Sequence, residues 1–361
     1  MTEDVQSCFS GTRPVAGAHA FDVGRLRDYM REHVDGFSGE LRVEQFKGGQ
    51  SNPTYRLEAG GERYVLRRKP PGVLLPSAHA VDREFRVIRA LASTDVPVPH
   101  AYALCEDPEV IGTAFYIMEY VEGRIFWNST LPACPVDARA ALYDEMNRVI
   151  AALHSVDPAA VGLTGYGRPG GYIERQVGRW TKQYRAAETE RIEAADCLID
   201  WLPTHIPAGD ETRIVHGDYR LDNMIFHPGE PRILAVLDWE LSTLGHPLAD
   251  FAYHCMTWRM PPVQGRGLAG LDLAALGIPD EASYVRRYLQ RVSRVPDDAV
   301  SEADWRYYLV FNMFRLAGIL QGVHARALQG NASSALALEM GKRTRPLAEQ
   351  AWALAQQIDN A

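Results

Sequence analysis

The segment 214–240, IVHGDYRLDNMIFHPGEPRILAVLDWE, sets three oxygen-bearing side chains, Asp218, Asn223 and Asp238, around two short apolar runs. Asp218 lies just past the first run, on a turn beginning His216-Gly217, where an exposed carboxylate can accept a proton from an incoming hydroxyl. Asn223 then offers a neutral amide oxygen. Asp238 ends the second run, ILAVLD, and a β-hairpin through His227-Pro228-Gly229 would return it beside Asn223. Oxygen ligands of that kind suit Mg²⁺. One general base and two metal ligands would result; the plainer alternative is that Asp218 and Asn223 only cap turns, as Asp and Asn often do.

Phosphoryl transfer depends on positioning and charge neutralisation more than on covalent chemistry, so a phosphate cradle should accompany such a set. Gly48-Gly49-Gln50-Ser51-Asn52 sits between two strand-like runs, where glycines let backbone N–H groups approach a polyphosphate without an intervening Cβ. A glycine pair is more often a plain turn, and Gly60-Gly61 reads that way. On the following strand, Tyr64-Val65-Leu66-Arg67 alternates so that Arg67 points inward as a cation for the α- and β-phosphates, with Arg68 and Lys69 competing for the role. Glu84 falls among Val81, Phe85, Ile88 and Leu91 on a helical wheel, while Asp82, Arg83, Arg86 and Arg89 lie away from that stripe. A lone carboxylate on an apolar face needs a buried cation, although an edge-of-core salt bridge would also satisfy it. Phe115 to Val121 is an apolar strand whose end, Glu119, Tyr120 and Val121, could offer backbone groups to a purine edge; a core strand is the simpler reading.

These residues need a strand-rich scaffold first and a helical one after it. Residues 1 to 20 read as a leader, and FDVGRLRDYMREHV as a short amphipathic helix. LRVEQFK, TYRLEA and RYVLRR alternate between glycine turns, the last two forming a predicted hairpin; AYALCE and FYIMEYV add strands, with the helix AVDREFRVIRAL preceding them. After Gly123 the pattern is mainly helical, with an apolar stripe over Asp137 to Val156 and helices expected near Ser283 to Val295, Ala303 to Leu328 and Ser333 to Ile358. Tyr166 to Tyr172 and Pro261 to Pro279 are irregular stretches placed to border a cleft.

With 361 residues, 46% of them hydrophobic, the chain has material for one large or two smaller cores. The formal charge of -8 argues against nucleic acid or anionic lipid as a partner. The five scattered cysteines fit reduced thiols of a cytoplasmic protein. No export signal begins the chain, and Tyr307 to Ala325 is interrupted by Asn312, Arg315, Gln321 and His324, too polar for a membrane span.

In order, glycine turn, cationic strand, acidic helix, apolar connector, HGDxxxxN and strand-end Asp resemble the aminoglycoside phosphotransferase and choline kinase superfamily over roughly residues 40–330. FKGGQSNPTYRL, LRRKPPGVLLPSAHAVDREFRV, YGRPGGYIERQVGRW and HGDYRLDNMIFHP with AVLDWELSTLGHPLADFAY resemble the branch fused to acyl-CoA dehydrogenases in animals and free-standing in bacteria. The resemblance implies an α+β, protein-kinase-like bilobal fold: a leader and helix over 1–35, a β-rich N-lobe over 36–122 and a mainly helical C-lobe over 123–361. It implies an ATP- and Mg²⁺-dependent kinase of a small hydroxylated molecule, with Asp218 as base and Asn223 and Asp238 as metal ligands. Nucleotide contacts fall on the 48–52 turn, Arg67, its partner Glu84 and Glu119 to Val121. Arg67 departs from the superfamily's usual Lys. A hydroxyacyl compound is the acceptor suggested by the dehydrogenase-fused branch. Two alternatives stand beside this: a nucleotide-binding pseudokinase, and a metallo-hydrolase using His216, His246, Asp250 and His254. The family instead makes Asp250 a buried anchor for the catalytic turn.

Overall fold

The computed structural model describes residues 11–15, 17–47, 52–72, 79–292, 300–329 and 337–360. Short strand β1 (Thr12–Pro14), within the stretch expected to be a leader, pairs antiparallel with β2 (Arg42–Phe46) and extends the sheet. Helix α1 (Val23–His33) starts at Asp22, whose carboxylate accepts the Arg25 N–H. Strands β3 (Thr54–Ala59) and β4 (Glu62–Arg68) form the predicted hairpin. Its turn needs positive φ at both Gly60 (60°) and Gly61 (88°), which L-residues seldom adopt. With β5 (Ala101–Cys105) and β6 (Phe115–Glu119) they make one six-stranded sheet in the order β1-β2-β3-β4-β6-β5.

Alternation along these strands separates two apolar layers. Tyr55, Leu57, Leu66, Phe115 and Ile117 pack outward with Leu26 and Met30 of α1. Val65, Tyr116 and Met118 face the other way, into the large core shared with α2 (Val81–Leu91) and the helical half of the molecule. Helix α1 therefore shares its apolar cluster with the sheet that follows it. Arg67 lies on the inward face of β4, opposite Tyr116 on β6.

The helical half contains α3 (Val136–Ser155), α4 (Tyr172–Ala186) and α5 (Glu193–Trp201). Next come two small antiparallel pairs, β7 (Arg213–Val215) with β10 (Thr243–Gly245), and the hairpin of β8 (Met224–Phe226) with β9 (Ile233–Val236) that lies between them in sequence. Helices α6 (Pro247–Arg259), α7 (Glu281–Val292), α8 (Glu302–Leu328) and α9 (Thr344–Asp359) complete it. The expected C-terminal helix is divided: Ala337–Gly341 is a separate turn, and Gly341 lies so close to the His324 ring that an added Cβ would fall 2.0 Å from its Nδ1. Helix α6 escaped the sequence pattern because it is buried on almost every side, through Phe251, Ala252, His254, Cys255, Met256 and Trp258, and so shows no polar face. No helix among the described residues is long and apolar enough to cross a membrane. Of the described cysteines, Cys105, Cys134 and Cys255 are buried free thiols and Cys197 is half-buried.

Candidate active site

Strand β7 runs directly into His216-Gly217-Asp218, and α6 holds that turn in place. Asp250, buried on α6, accepts the His216 N–H at 2.7 Å and the Gly217 N–H at 2.8 Å, with His154 Nε2 3.2 Å away. Burial opposes the Asp250 charge, but the His154 and backbone hydrogen bonds outweigh it and hold the carboxyl below its ordinary range. Gly217 sits at φ +83°, and an added Cβ would lie 2.7 Å from the Leu241 carbonyl oxygen, so only glycine fits. From α8, Arg315 donates to the Gly217 carbonyl at 2.7 Å while its guanidinium lies over Tyr253. The His216 imidazole accepts the Asp218 N–H at Nδ1 (3.2 Å) and donates from Nε2 to the Leu237 carbonyl (2.9 Å), which assigns its tautomer.

The Asp218 carboxylate is held by two hydrogen bonds and one ion pair. Tyr253 O–H reaches Oδ1 at 2.6 Å, Arg220 Nε lies 2.8 Å from the same oxygen, and Asn223 Nδ2 donates to Oδ2 at 3.1 Å. Burial, reinforced by the Asp218 charge, pushes the Tyr253 phenol well up, so it remains a donor. Arg220 is shared with Asp222 at 3.3 Å. Asn223 Nδ2 also donates to the Asp218 carbonyl at 2.9 Å, so its amide N faces two oxygens and its Oδ1 is turned away from them.

The expected hairpin forms. Met224 pairs with Val236, and the Leu237 N–H donates to the Asn223 carbonyl at 2.8 Å. Leu237 is thus tied on one side to Asn223 and on the other to His216, and Asp238 follows it directly. Its backbone is left-handed, φ 64° and ψ 59°, which turns the chain out of the hairpin into the Trp239–Leu241 turn.

The small-lobe cation meets this group. Arg67 Nε lies 2.8 Å from Glu84 Oε2, and its Nη2 pairs closely with Asp238 Oδ1. Arg68 instead turns to the other face, over the Phe21 ring, and Lys69 pairs with Asp82 on the surface. Glu84, wholly buried, also accepts from Asn52 Nδ2 (2.8 Å) and Tyr116 O–H (3.1 Å). Burial raises the Glu84 carboxyl against the pull of Arg67; burial of Arg67 is in turn outweighed by Glu84 and Asp238, which keep the guanidinium charged. Glu84→Gln removes the counter-charge and leaves one acceptor oxygen where Asn52 and Tyr116 now use two, and should destabilise the fold by roughly 1–3 kcal/mol in urea unfolding. An unchanged midpoint would show that Asp238 alone suffices for Arg67.

Asp218, Asn223, Asp238, Arg67 and Glu84 are therefore one connected group, joined by Asn52 from the glycine turn. Gly48, Gly49, Gln50 and Ser51 lie outside the described residues. Strand β6 ends at Glu119, short of the expected Val121; Tyr120 and Val121 follow it without strand structure and lead into Gly123 and Arg124, whose N–H donates to the Phe226 carbonyl at 2.8 Å and pins the connector to the β8 hairpin. The metallo-hydrolase set does not assemble. His246 Nε2 meets Tyr308 O–H at 3.2 Å, His254 Nε2 meets Tyr284 O–H at 2.9 Å, and Asp250 is occupied by the His216 and Gly217 amides. No group of three metal-binding side chains occurs among the described residues. Arg220, Tyr253 and Arg315 were not anticipated from sequence. The first lies two residues past Asp218; the other two come from helices that only the fold brings to the turn.

Burial lowers both His246 and His254 from the usual 6.5 to about 4, Asp210 partly offsetting it for His246. Between those values the unfolded chain binds protons that the folded chain refuses, so stability should fall as pH drops from 6.5 toward 4, by up to about 3 kcal/mol per histidine. Urea unfolding at pH 7 and pH 5 checks this; equal midpoints would refute it.

The family model described as "Phosphotransferase enzyme family" matches residues 42–305. A crystal structure of a candidate aminoglycoside phosphotransferase from Ralstonia eutropha is 59% identical, covers 94% of this chain and 99% of that one, and superposes with a TM-score of 0.86. Acyl-CoA dehydrogenase family member 10 of Mus musculus is 48% identical over 94% of this chain but only 32% of its own length, and this chain likewise spans less than half of the plant and other animal acyl-CoA dehydrogenase relatives it matches. The aminoglycoside phosphotransferase APH(4)-Ia, solved with ADP and hygromycin B, is 15% identical with a TM-score of 0.59 over 91% of this chain and 97% of its own, a likeness of fold. With its kinase-like α+β architecture and the family match over most of its length, the chain belongs to the phosphotransferase enzyme family.

Proposed function

We propose that the chain transfers a phosphoryl group from ATP, with Mg²⁺, to a hydroxyl of a small hydroxyacyl compound. The convergence of Asp218, Asn223 and Asp238 with the Arg67–Glu84 pair carries this reading. The donor set suits the metal: Asn223 Oδ1, turned away by the amide's two hydrogen bonds, and the Asp238 carboxylate are both hard oxygens. Asn223 and Asp238 would hold Mg²⁺, which neutralises charge on the nucleotide phosphates during transfer. Arg67, held charged by Glu84, would bind the α- and β-phosphates, and the backbone of Glu119 to Val121 the base.

Asp218 would take the acceptor's hydroxyl proton as the new O–P bond forms and the bond to the ADP oxygen breaks. Tyr253 and Arg220 fix one carboxylate oxygen and Asn223 the other, so the group meets the acceptor already oriented. Arg220 also places a positive charge beside the base, where negative charge accumulates on the transferred group.

The acyl-CoA dehydrogenase relatives favour a hydroxylated acyl acceptor. Hydroxy acids, hydroxyacyl-CoA esters, amino alcohols and aminoglycosides should therefore be screened for Mg²⁺-dependent ADP formation. ADP formation confined to hydroxyacyl compounds and abolished by EDTA is expected. Turnover of aminoglycosides alone would overturn the acceptor class, and nucleotide binding without ADP formation from any acceptor would mark a pseudokinase.

A further inference from the structure

A concavity on the surface of the helical half is lined by cationic side chains, and no residue of it takes part in the chemistry above. A groove of about 960 Å³ runs along the outer face of α4 from the Gly170-Gly171 turn. Ile173, Val177 and Tyr184 bury the inner face of this helix, while Arg175, Arg179 and Lys182 recur at i, i+4 and i+7 on the outer one. That spacing lays a row of cations about 10 Å long at 1.5 Å per residue. Arg168 adds another cation at the groove's mouth, and Glu174 is the single carboxylate among the lining side chains.

Arg175 is spent on the turn, donating to the Gly170 carbonyl and, at 2.7 Å, to the Arg168 carbonyl. Arg168, Arg179 and Lys182 enter no ion pair among the described residues, in a chain whose formal charge is -8. Charges of one sign left together without partners repel, and an anionic ligand would relieve that. The floor of the groove points the same way. Gly178 lies in the middle of α4, where glycine costs about 1 kcal/mol relative to alanine, yet nothing lies within 4 Å of an added Cβ, so packing does not require it. A bare backbone there lets a ligand settle onto the helix between the cations.

The groove is linked to the turn that carries Asp218 through one shared ring. Arg179 lies over the Trp180 ring, Arg315 lies over the same ring, and Arg315 binds the Gly217 carbonyl next to Asp218. We infer that this groove binds the phosphate-bearing anionic handle of the acceptor, at a distance from the hydroxyl presented to Asp218. Guanidinium forks suit phosphate oxygens, and a polycationic acceptor would be repelled. This inference rests on the kinase reading for the word acceptor, but its anion-binding core does not.

The test uses the full chain with its nucleotide site saturated by AMP-PNP and Mg²⁺, and titrates inorganic pyrophosphate calorimetrically. Pyrophosphate should bind, more weakly as salt rises. Arg179→Glu/Lys182→Glu should lose at least tenfold in affinity, and Arg179→Lys/Lys182→Arg should retain most of it. AMP-PNP titration of each variant verifies folding. No binding to the wild type, or equal binding to the charge-reversed variant, overturns the site. In turnover, charge reversal should raise KM at least tenfold for an acceptor with a phosphorylated handle and spare its dephosphorylated counterpart. If pyrophosphate and the phosphorylated acceptor bind without competing, the groove takes free phosphate and its assignment to the acceptor is overturned. Failure of the kinase reading itself would appear elsewhere, as ADP formation indifferent to Asp218 replacement with pyrophosphate binding intact.

Discussion

Asp218→Asn should lower turnover roughly 10²- to 10⁴-fold, the usual contribution of a positioned general base, with the fold and AMP-PNP binding retained. The side chain is isosteric, Tyr253 can still donate to its remaining oxygen, and Arg220 keeps Asp222 as a counter-ion, so the loss reports chemistry and not collapse of the turn. Steady-state ADP formation with an identified acceptor, set beside a melting curve and an AMP-PNP titration, makes the measurement. Wild-type turnover in this variant would remove Asp218 from the reaction.

Asp250→Ala acts through position and should injure both stability and rate. It strips the His216 and Gly217 amides and His154 of their shared acceptor in the interior. Buried donors left without a partner cost about 1–3 kcal/mol each, so a total of about 3–5 kcal/mol and a fall in melting temperature on the order of 10 °C are expected. Because the turn it holds also carries Asp218, kcat should fall in the fraction that remains folded while AMP-PNP affinity persists. Asp250→Asn keeps one acceptor oxygen and should recover part of both losses. A variant that loses stability but turns over normally would confine Asp250 to the fold.

The small lobe was legible because its residues obey short periods. Gly60-Gly61 sets the hairpin, alternation puts Arg67 inward, and the wheel position of Glu84 demands the cation it meets. The return of Asp238 beside Asn223 was legible too, since a turn between two apolar runs leaves one economical pairing. What the pattern hid was contact over long separations. Tyr253 sits on a helix buried on nearly all sides, and Arg315 lies in a segment whose polar residues spoke only against a membrane span; each reaches the Gly217-Asp218 turn by packing that no local period encodes. The choice among Arg67, Arg68 and Lys69 likewise needed the third dimension, because adjacent residues on a strand face opposite layers.

The left-handed backbone at Asp238 has a practical corollary for anyone dissecting this enzyme by mutagenesis. Aspartate and asparagine tolerate that conformation better than alanine does, so truncation to a methyl group would mix conformational penalty with lost charge. Exchange for asparagine separates the two, and a scan relying on alanine would overstate what the carboxylate itself contributes.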